Sequence, residues 1–248
     1  MKPFVLIHGA WGGGWYWRDV TRALRQAGFP VLTPTLTGMG ERAHLGHAGV
    51  NLETHIQDIV HHLSYEDLWE VTLVGHSYAG MVITGVADSV PERLTRLVYL
   101  DADLPEPGES RFDLQPEERT WWEERAQEGD GWRVNLDLPE ALLTDAIPDS
   151  TVRRWYLERS QGQGQPIGTL RQPVRALNPA GRVLPRTFLG CRQDVLGMRS
   201  GLYGRMAQRA QADPQVQYQE LEANHFAPVS APARVVEALL NLRGQVEQ

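Results

Sequence analysis

The stretch Val71-Thr-Leu-Val-Gly75-His76-Ser77-Tyr78-Ala79-Gly80 constrains this chain more than any other. Its first residues form a short, continuous apolar run, the pattern of a strand covered on both faces in a parallel sheet. Glycines two positions before and three positions after Ser77 permit a turn so tight that a helix can start at once. Such a turn leaves the Ser77 hydroxyl exposed above the sheet. The helix that follows points its N-terminus, with unpaired N–H groups and partial positive charge, at whatever sits against that hydroxyl. An α/β architecture and a nucleophilic serine are therefore implied together.

The rest of the chain keeps the same rhythm. Apolar runs predict strands at Phe4 to His8, Val31 to Thr33, Val71 to Gly75, Leu97 to Asp101, Arg186 to Gly190 and Val216 to Leu221. Longer helical patterns separate them, so a mostly parallel six-stranded sheet flanked by helices is expected. Leu52, Ile56, Ile59, Val60 and Leu63 recur at helical spacing behind Asn51, which can cap the start. A last helix should begin near Pro232 and bury Val235, Val236, Leu239 and Leu240. Between the fourth and fifth strands the rhythm breaks: residues 104–185 are rich in proline and hold four of the eight tryptophans. This segment reads as an inserted cap, with residues 1–103 and 186–248 as the core. Helices are expected in it from Pro116 to Gln127 and from Asp149 to Arg159, the latter capped by Asp149 or Ser150.

Composition removes whole classes of function. Of 24 basic residues only Lys2 is a lysine, so Schiff-base and phosphate-loop lysines have no candidate. Residues 101–149 hold 15 acids and 4 arginines, whereas 150–210 hold 11 arginines and 2 acids. The arginines are scattered and carry no nucleic-acid motif, so an internally compensated surface is expected rather than a nucleic-acid partner. No apolar run nears the ~18 residues of a membrane span, so neither membrane insertion nor export is expected. One cysteine, Cys191, allows no internal disulfide and fits a reducing cytoplasm. The histidines form no metal-ligand motif with neighbouring acids, and no metal or cofactor is expected.

A serine hydroxyl is a weak nucleophile near neutral pH and needs a base. Of eight histidines, His225 fits best, because it follows the strand Val216 to Leu221 on a loop before the terminal helix. His8 and His76 read as structural groups, and His44, His47, His55, His61 and His62 as solvated ones. The carboxylate that fixes the imidazole should lie between Ser77 and His225 in chain order and follow a strand. Asp194 meets both conditions and is the assignment; Asp101 and Asp103, which also follow a strand, are its rivals. The loop His8-Gly9-Ala10-Trp11-Gly12-Gly13-Gly14 lets backbone approach a substrate closely, and Ala10 and Tyr78 are the expected N–H donors to an oxyanion. Trp11 and the segment's Trp121, Trp132 and Trp155 are the candidate walls of an apolar pocket.

With these pieces together the sequence resembles the small α/β-hydrolase esterases of the plant methylesterase and hydroxynitrile lyase group and their bacterial relatives. The resemblance runs nearly end to end, through Val5-Leu-Ile-His-Gly-Ala-Trp11, Leu52-Glu-Thr-His-Ile-Gln-Asp58, Gly75 to Gly80, Tyr99-Leu-Asp-Ala102, Pro105-Glu-Pro-Gly-Glu-Ser110 and the Asp194 and His225 loops. It implies an α/β-hydrolase fold and a cofactor-free hydrolysis of small apolar or aromatic carboxylic esters. It also implies a triad on Ser77, Asp194 and His225 with donors at Ala10 and Tyr78, and a homodimer by analogy. Lyases of the group hold a lysine after the histidine, a glutamate before the serine and a threonine at the position of Gly9. This chain has Phe226, His76 and Gly9 there, the esterase pattern. The remaining readings are a lyase or C–C bond hydrolase with the same triad, or a non-catalytic binder of a small carboxylate. Arg192 is the arginine nearest the site residues in sequence and is expected to face solvent.

Overall fold

The computed structural model of the chain describes residues 1–135, 138–198 and 201–244. The first part runs β1 (Phe4–Ile7), α1 (Arg18–Gln26), β2 (Val31–Leu32), α2 (Leu52–Tyr65), β3 (Val71–His76), α3 (Ala79–Ser89) and β4 (Leu94–Leu100). Then come α4 (Arg111–Leu114), α5 (Arg119–Glu128), β5 (Arg133–Asn135), α6 (Ser150–Ser160), β6 (Gly164–Pro166), α7 (Gly168–Arg171) and α8 (Pro179–Arg182). The chain returns through β7 (Arg186–Cys191), α9 (Leu202–Ala212), β8 (Val216–Leu221), α10 (Ala227–Ser230) and α11 (Pro232–Gly244).

Six strands form one parallel sheet in the order β2-β1-β3-β4-β7-β8, the α/β-hydrolase arrangement expected from the sequence. Period-two alternation splits its side chains between two cores. Val5, Ile7, Leu73, Leu97, Tyr99 and Phe188 face α2, α3 and α9. Phe4, Leu6, Val74, Val98, Leu100 and Leu189 face α1 and α11. Burying both faces explains why the central strands read as unbroken apolar runs, each fully buried aliphatic side chain contributing about 1.5–3 kcal/mol. β4 starts at Leu94, three residues before the expected Leu97, because the polar pair Thr95-Arg96 hides a strand that pairs with β3 through a register shift at Val71/Thr72. Asn51 caps α2 in a reciprocal box with Thr54, and Asp149 rather than Ser150 caps α6.

Among the described residues the proline-rich segment contains five short α-helices and an antiparallel pair, β5 with β6, that leaves no periodic signal in the sequence. Its apolar residues divide between two cores: Trp122, Ala126 and Val134 pack into the face of α2 and α3, and Leu143, Ile147 and Leu157 gather with Tyr16, Phe226 and Val229 in a cluster apart from the sheet. Among the described residues no helix is long and apolar enough to cross a membrane.

Candidate active site

From β1 the chain moves to β2 on one side and then returns to β3 on the other, so the sheet order reverses between β1 and β3. Crevices at such points, beyond the C-terminal strand ends, are where α/β sheets hold ligands. The glycine loop follows β1 there, and Ser77 follows β3.

Local sterics dictate both loops. A Cβ on Gly75 would lie 2.8 Å from the Ala79 carbonyl oxygen, and one on Gly80 would overlap the Asp103 carbonyl oxygen. Gly9 approaches the nucleophile so closely that a Cβ there would meet the Ser77 Cβ at 2.7 Å. Trp11 (φ 55°), Ser77 (φ 58°) and Asp101 (φ 42°) adopt left-handed backbone at the mouths of β1, β3 and β4. Such conformations are strained for non-glycine residues and concentrate where a side chain must be aimed. Ser77 is gripped on both sides: its N–H donates to Leu100 O, and its carbonyl accepts from Asp103 N and Gly80 N. Among the described residues the Ala10 and Tyr78 N–H groups are not given to other backbone carbonyls, and both residues line the cavity beside Ser77.

His225 stands on the loop after β8, as expected, and its Nδ1 donates to a buried carboxylate 2.8 Å away. That carboxylate is Asp101, where the sequence led us to expect Asp194. Asp101 is 2% exposed at the end of β4, its other oxygen accepting from Cys191 N at 3.0 Å. Asp194 instead lies in an exposed loop, because Arg192 and Gln193 continue alongside Leu221 and Ala223 and carry the chain outward. The Asp101 bond sets the proton of His225 on Nδ1 and leaves Nε2 as a base. His76 donates from Nε2 to the His225 carbonyl at 2.8 Å, and its ring lies 4.7 Å from that of His225. Burial and the neighbouring His225 hold His76 well below the ordinary histidine range. It is a neutral brace for the loop.

Ser77 Oγ hydrogen-bonds Tyr203 Oη at 2.8 Å, and the Tyr203 ring stacks on His225 with centroids 4.2 Å apart. Tyr203 opens α9 and was not a candidate from sequence; an isolated tyrosine carries no motif. Arg111, from α4, also lines the cavity, although it lies 34 positions from Ser77 in sequence and was not a candidate. Its Nε lies 3.1 Å from Asp103 Oδ2. Asp103 is fully buried, and burial pushes its carboxyl up to about 6 against the pull of Arg111. Arg192 is exposed and pairs with Glu222, as expected of it.

The cavity measures about 440 Å³ and mixes aromatic side chains with aliphatic ones and with the polar Arg111, Glu117 and Glu118. Trp11 lines it and stacks on Trp122 at 5.1 Å, its Nε1 tied to Val134 O at 2.8 Å. Trp121, Trp132 and Trp155 do not line it, contrary to expectation. Trp121 and Trp122 are adjacent on a helix and so point about 100° apart, Trp122 inward and Trp121 outward. Trp132 packs over Gly46, and Trp155 lies under Arg18 with its edge to Trp15. Trp15, Tyr16, Tyr156 and Phe226 add to the cavity's aromatic part. We expect Trp122→Ala to raise KM for an aromatic ester about 10-fold with little change in kcat, the size of one lost aromatic contact. Steady-state kinetics with an aryl and an alkyl ester test this, and an equal change for both substrates would count against an aromatic wall.

Among the described residues no three His, Cys, Asp or Glu side chains converge as metal ligands. His55, read as solvated, is buried instead. Its Nε2 donates to Thr37 O at 2.9 Å and its Nδ1 lies 3.0 Å from the Tyr78 hydroxyl.

Residues 4–238 match the model of the Alpha/beta hydrolase family. A carbendazim hydrolyzing esterase from Nocardioides sp. is 58% identical over 116 residues, 47% of this chain and 48% of that protein. Over such matches the chain spans about half the length of the curated relatives or less. A pheophorbidase of Raphanus sativus is 28% identical over 78% of this chain and 76% of its own. Among solved structures, an extracellular alpha/beta-hydrolase from a Paenibacillus species shares the fold with a TM-score of 0.80 at 23% identity, covering 97% of this chain and 98% of its own.

Proposed function

We propose, since this chain belongs to the alpha/beta hydrolase family, that it is a serine carboxylesterase acting on small aromatic esters through an acyl-enzyme. The observation that carries this reading is the bond between His225 Nδ1 and Asp101 at the mouth of an aromatic cavity that also holds Ser77. As Ser77 Oγ attacks the ester carbonyl carbon, its proton passes to His225 Nε2 and the carbonyl electron pair moves onto oxygen. The N–H groups of Ala10 and Tyr78 receive that oxyanion. His225 then returns the proton to the departing alcohol, and water, deprotonated by the same nitrogen, releases the acid and restores Ser77.

In this reading Asp101, not Asp194, is the acid of the triad, and residues 104–185 act as a cap that shapes the pocket. The single buried cysteine supports a reducing, cytoplasmic setting. The similarity to a carbendazim hydrolyzing esterase makes carbendazim a substrate to include beside aryl and methyl esters. The test is a hydrolysis screen over esters of differing acyl and alcohol size, paired with a fluorophosphonate and peptide mapping. We expect turnover of aryl esters and labelling of Ser77 alone. Turnover without labelling of Ser77, or labelling at another serine, would show that the nucleophile is elsewhere.

A further inference from the structure

A serine that must lose its proton to His225 should hold that proton toward Nε2, yet the partner of Ser77 Oγ in this structure is Tyr203 Oη, at 2.8 Å. The direction of that bond follows from what lies behind the tyrosine. Arg111 lines the same cavity as Tyr203, and its positive charge acts on the Tyr203 hydroxyl, favouring the orientation in which the oxygen faces the guanidinium and the hydrogen points away. Its remaining contacts fix its orientation: Nε faces Asp103 Oδ2 at 3.1 Å, and Nη2 donates to Gln115 Oε1 at 2.8 Å. With a cation on that side, the tyrosine oxygen turns its lone pairs toward Arg111 and its hydrogen toward Ser77 Oγ, 2.8 Å away. Ser77 Oγ then accepts from Tyr203, which frees its own hydrogen to point at His225 and leaves one lone pair for attack.

We propose that Tyr203 is a catalytic residue that donates a hydrogen bond to Ser77 Oγ as negative charge develops there, and that Arg111 and Asp103 are positioning residues that fix the direction of that bond. This rests on the serine-hydrolase reading above. Tyr203 keeps its proton throughout. In acylation the Ser77 proton goes to His225 Nε2 while the bond from Oγ to carbon forms, and in deacylation that bond breaks and the proton returns from His225. At both moments Oγ is richest in electrons, so the donated bond is strongest near the transition states and contributes to rate more than to binding. The ring also lies flat on His225, with planes 23° apart, which holds the base facing the same oxygen.

Tyr203→Phe retains the ring and its stacking and removes only the hydroxyl. We expect kcat for an aryl acetate, and the rate of fluorophosphonate labelling at Ser77, to fall about 10- to 100-fold, with KM unchanged within about twofold. Arg111→Lys keeps a cation beside Asp103 but loses the planar fork, and should lower kcat by a smaller factor. In the Tyr203→Phe background Arg111→Lys should then cost nothing further, whereas a merely structural arginine would cost the same in both backgrounds. A Tyr203→Phe enzyme as fast as the parent, or faster, overturns the proposal, the latter meaning that the hydroxyl holds the serine in an idle orientation. Loss of both labelling and turnover in the parent protein would instead overturn the serine-hydrolase reading on which this one stands.

Discussion

Asp101→Asn is expected to lower kcat about 10³- to 10⁴-fold, while Asp194→Asn leaves it within a few-fold of the parent. The carboxylate accepts the Nδ1 proton of His225 at 2.8 Å, and an amide there can present its NH₂ group and drive the imidazole into the tautomer with its proton on Nε2. That tautomer cannot take the Ser77 proton. Asn is close in size to Asp, and its carbonyl can still accept from Cys191 N, so the fold should tolerate the change. Equal thermal midpoints for the two variants, measured beside the kinetics, separate a chemical loss from an unfolded one. Should Asp194→Asn cause the large loss while Asp101→Asn does not, the working enzyme pairs His225 differently from this structure.

The choice between those two aspartates marks where the sequence stops being informative. Both follow a strand and both lie between Ser77 and His225, so order and local pattern cannot separate them. What separates them is the pairing of β4 with β7: Asp101 N donates to Leu189 O, which turns the side chain under the sheet edge toward His225. Ser77, His225 and the Gly9 loop were legible because a tight turn, a late histidine and a close backbone approach each leave a local signature. Tyr203 and Arg111 leave none. They lie 126 and 34 positions from Ser77 and meet it only after the segment following β4 and the helix following β7 have packed over the strand ends. The tryptophans show the same limit, since composition marks an aromatic wall but only helix phase decides that Trp122 faces inward and Trp121 outward.

Acidification from pH 7 to 4.5 is expected to lower the unfolding free energy by at least about 3 kcal/mol, chiefly through histidines outside the proposed chemistry. Burial pushes His8 and His55 down to about 4 from an ordinary value of 6.5. Each is satisfied only when neutral. His8 donates from Nδ1 to Gly9 O and accepts at Nε2 from Leu36 N, and His55 donates from Nε2 to Thr37 O and accepts at Nδ1 from the Tyr78 hydroxyl. Between pH 6.5 and 4 the unfolded chain therefore binds protons that the folded chain refuses, and stability falls as pH falls. The two together account for about 5 kcal/mol of loss by pH 4.5. Asp103 acts in the opposite sense. Its folded value near 6 lies above the ordinary 3.8, so the folded state binds the extra proton in the same window and regains about 2 kcal/mol. His76, also held low by burial, adds to the loss. A net change of this size is a large share of the roughly 5–15 kcal/mol typical of a domain. Urea titrations at the two pH values measure it, and two variants apportion it: His55→Gln should reduce the pH dependence by about 2–3 kcal/mol, and Asp103→Asn should steepen it by about 2. If His55→Gln leaves the difference between the two pH values unchanged, His55 is not held neutral by the fold, and the bonds to Tyr78 and Thr37 do not enforce the tautomer assigned to it.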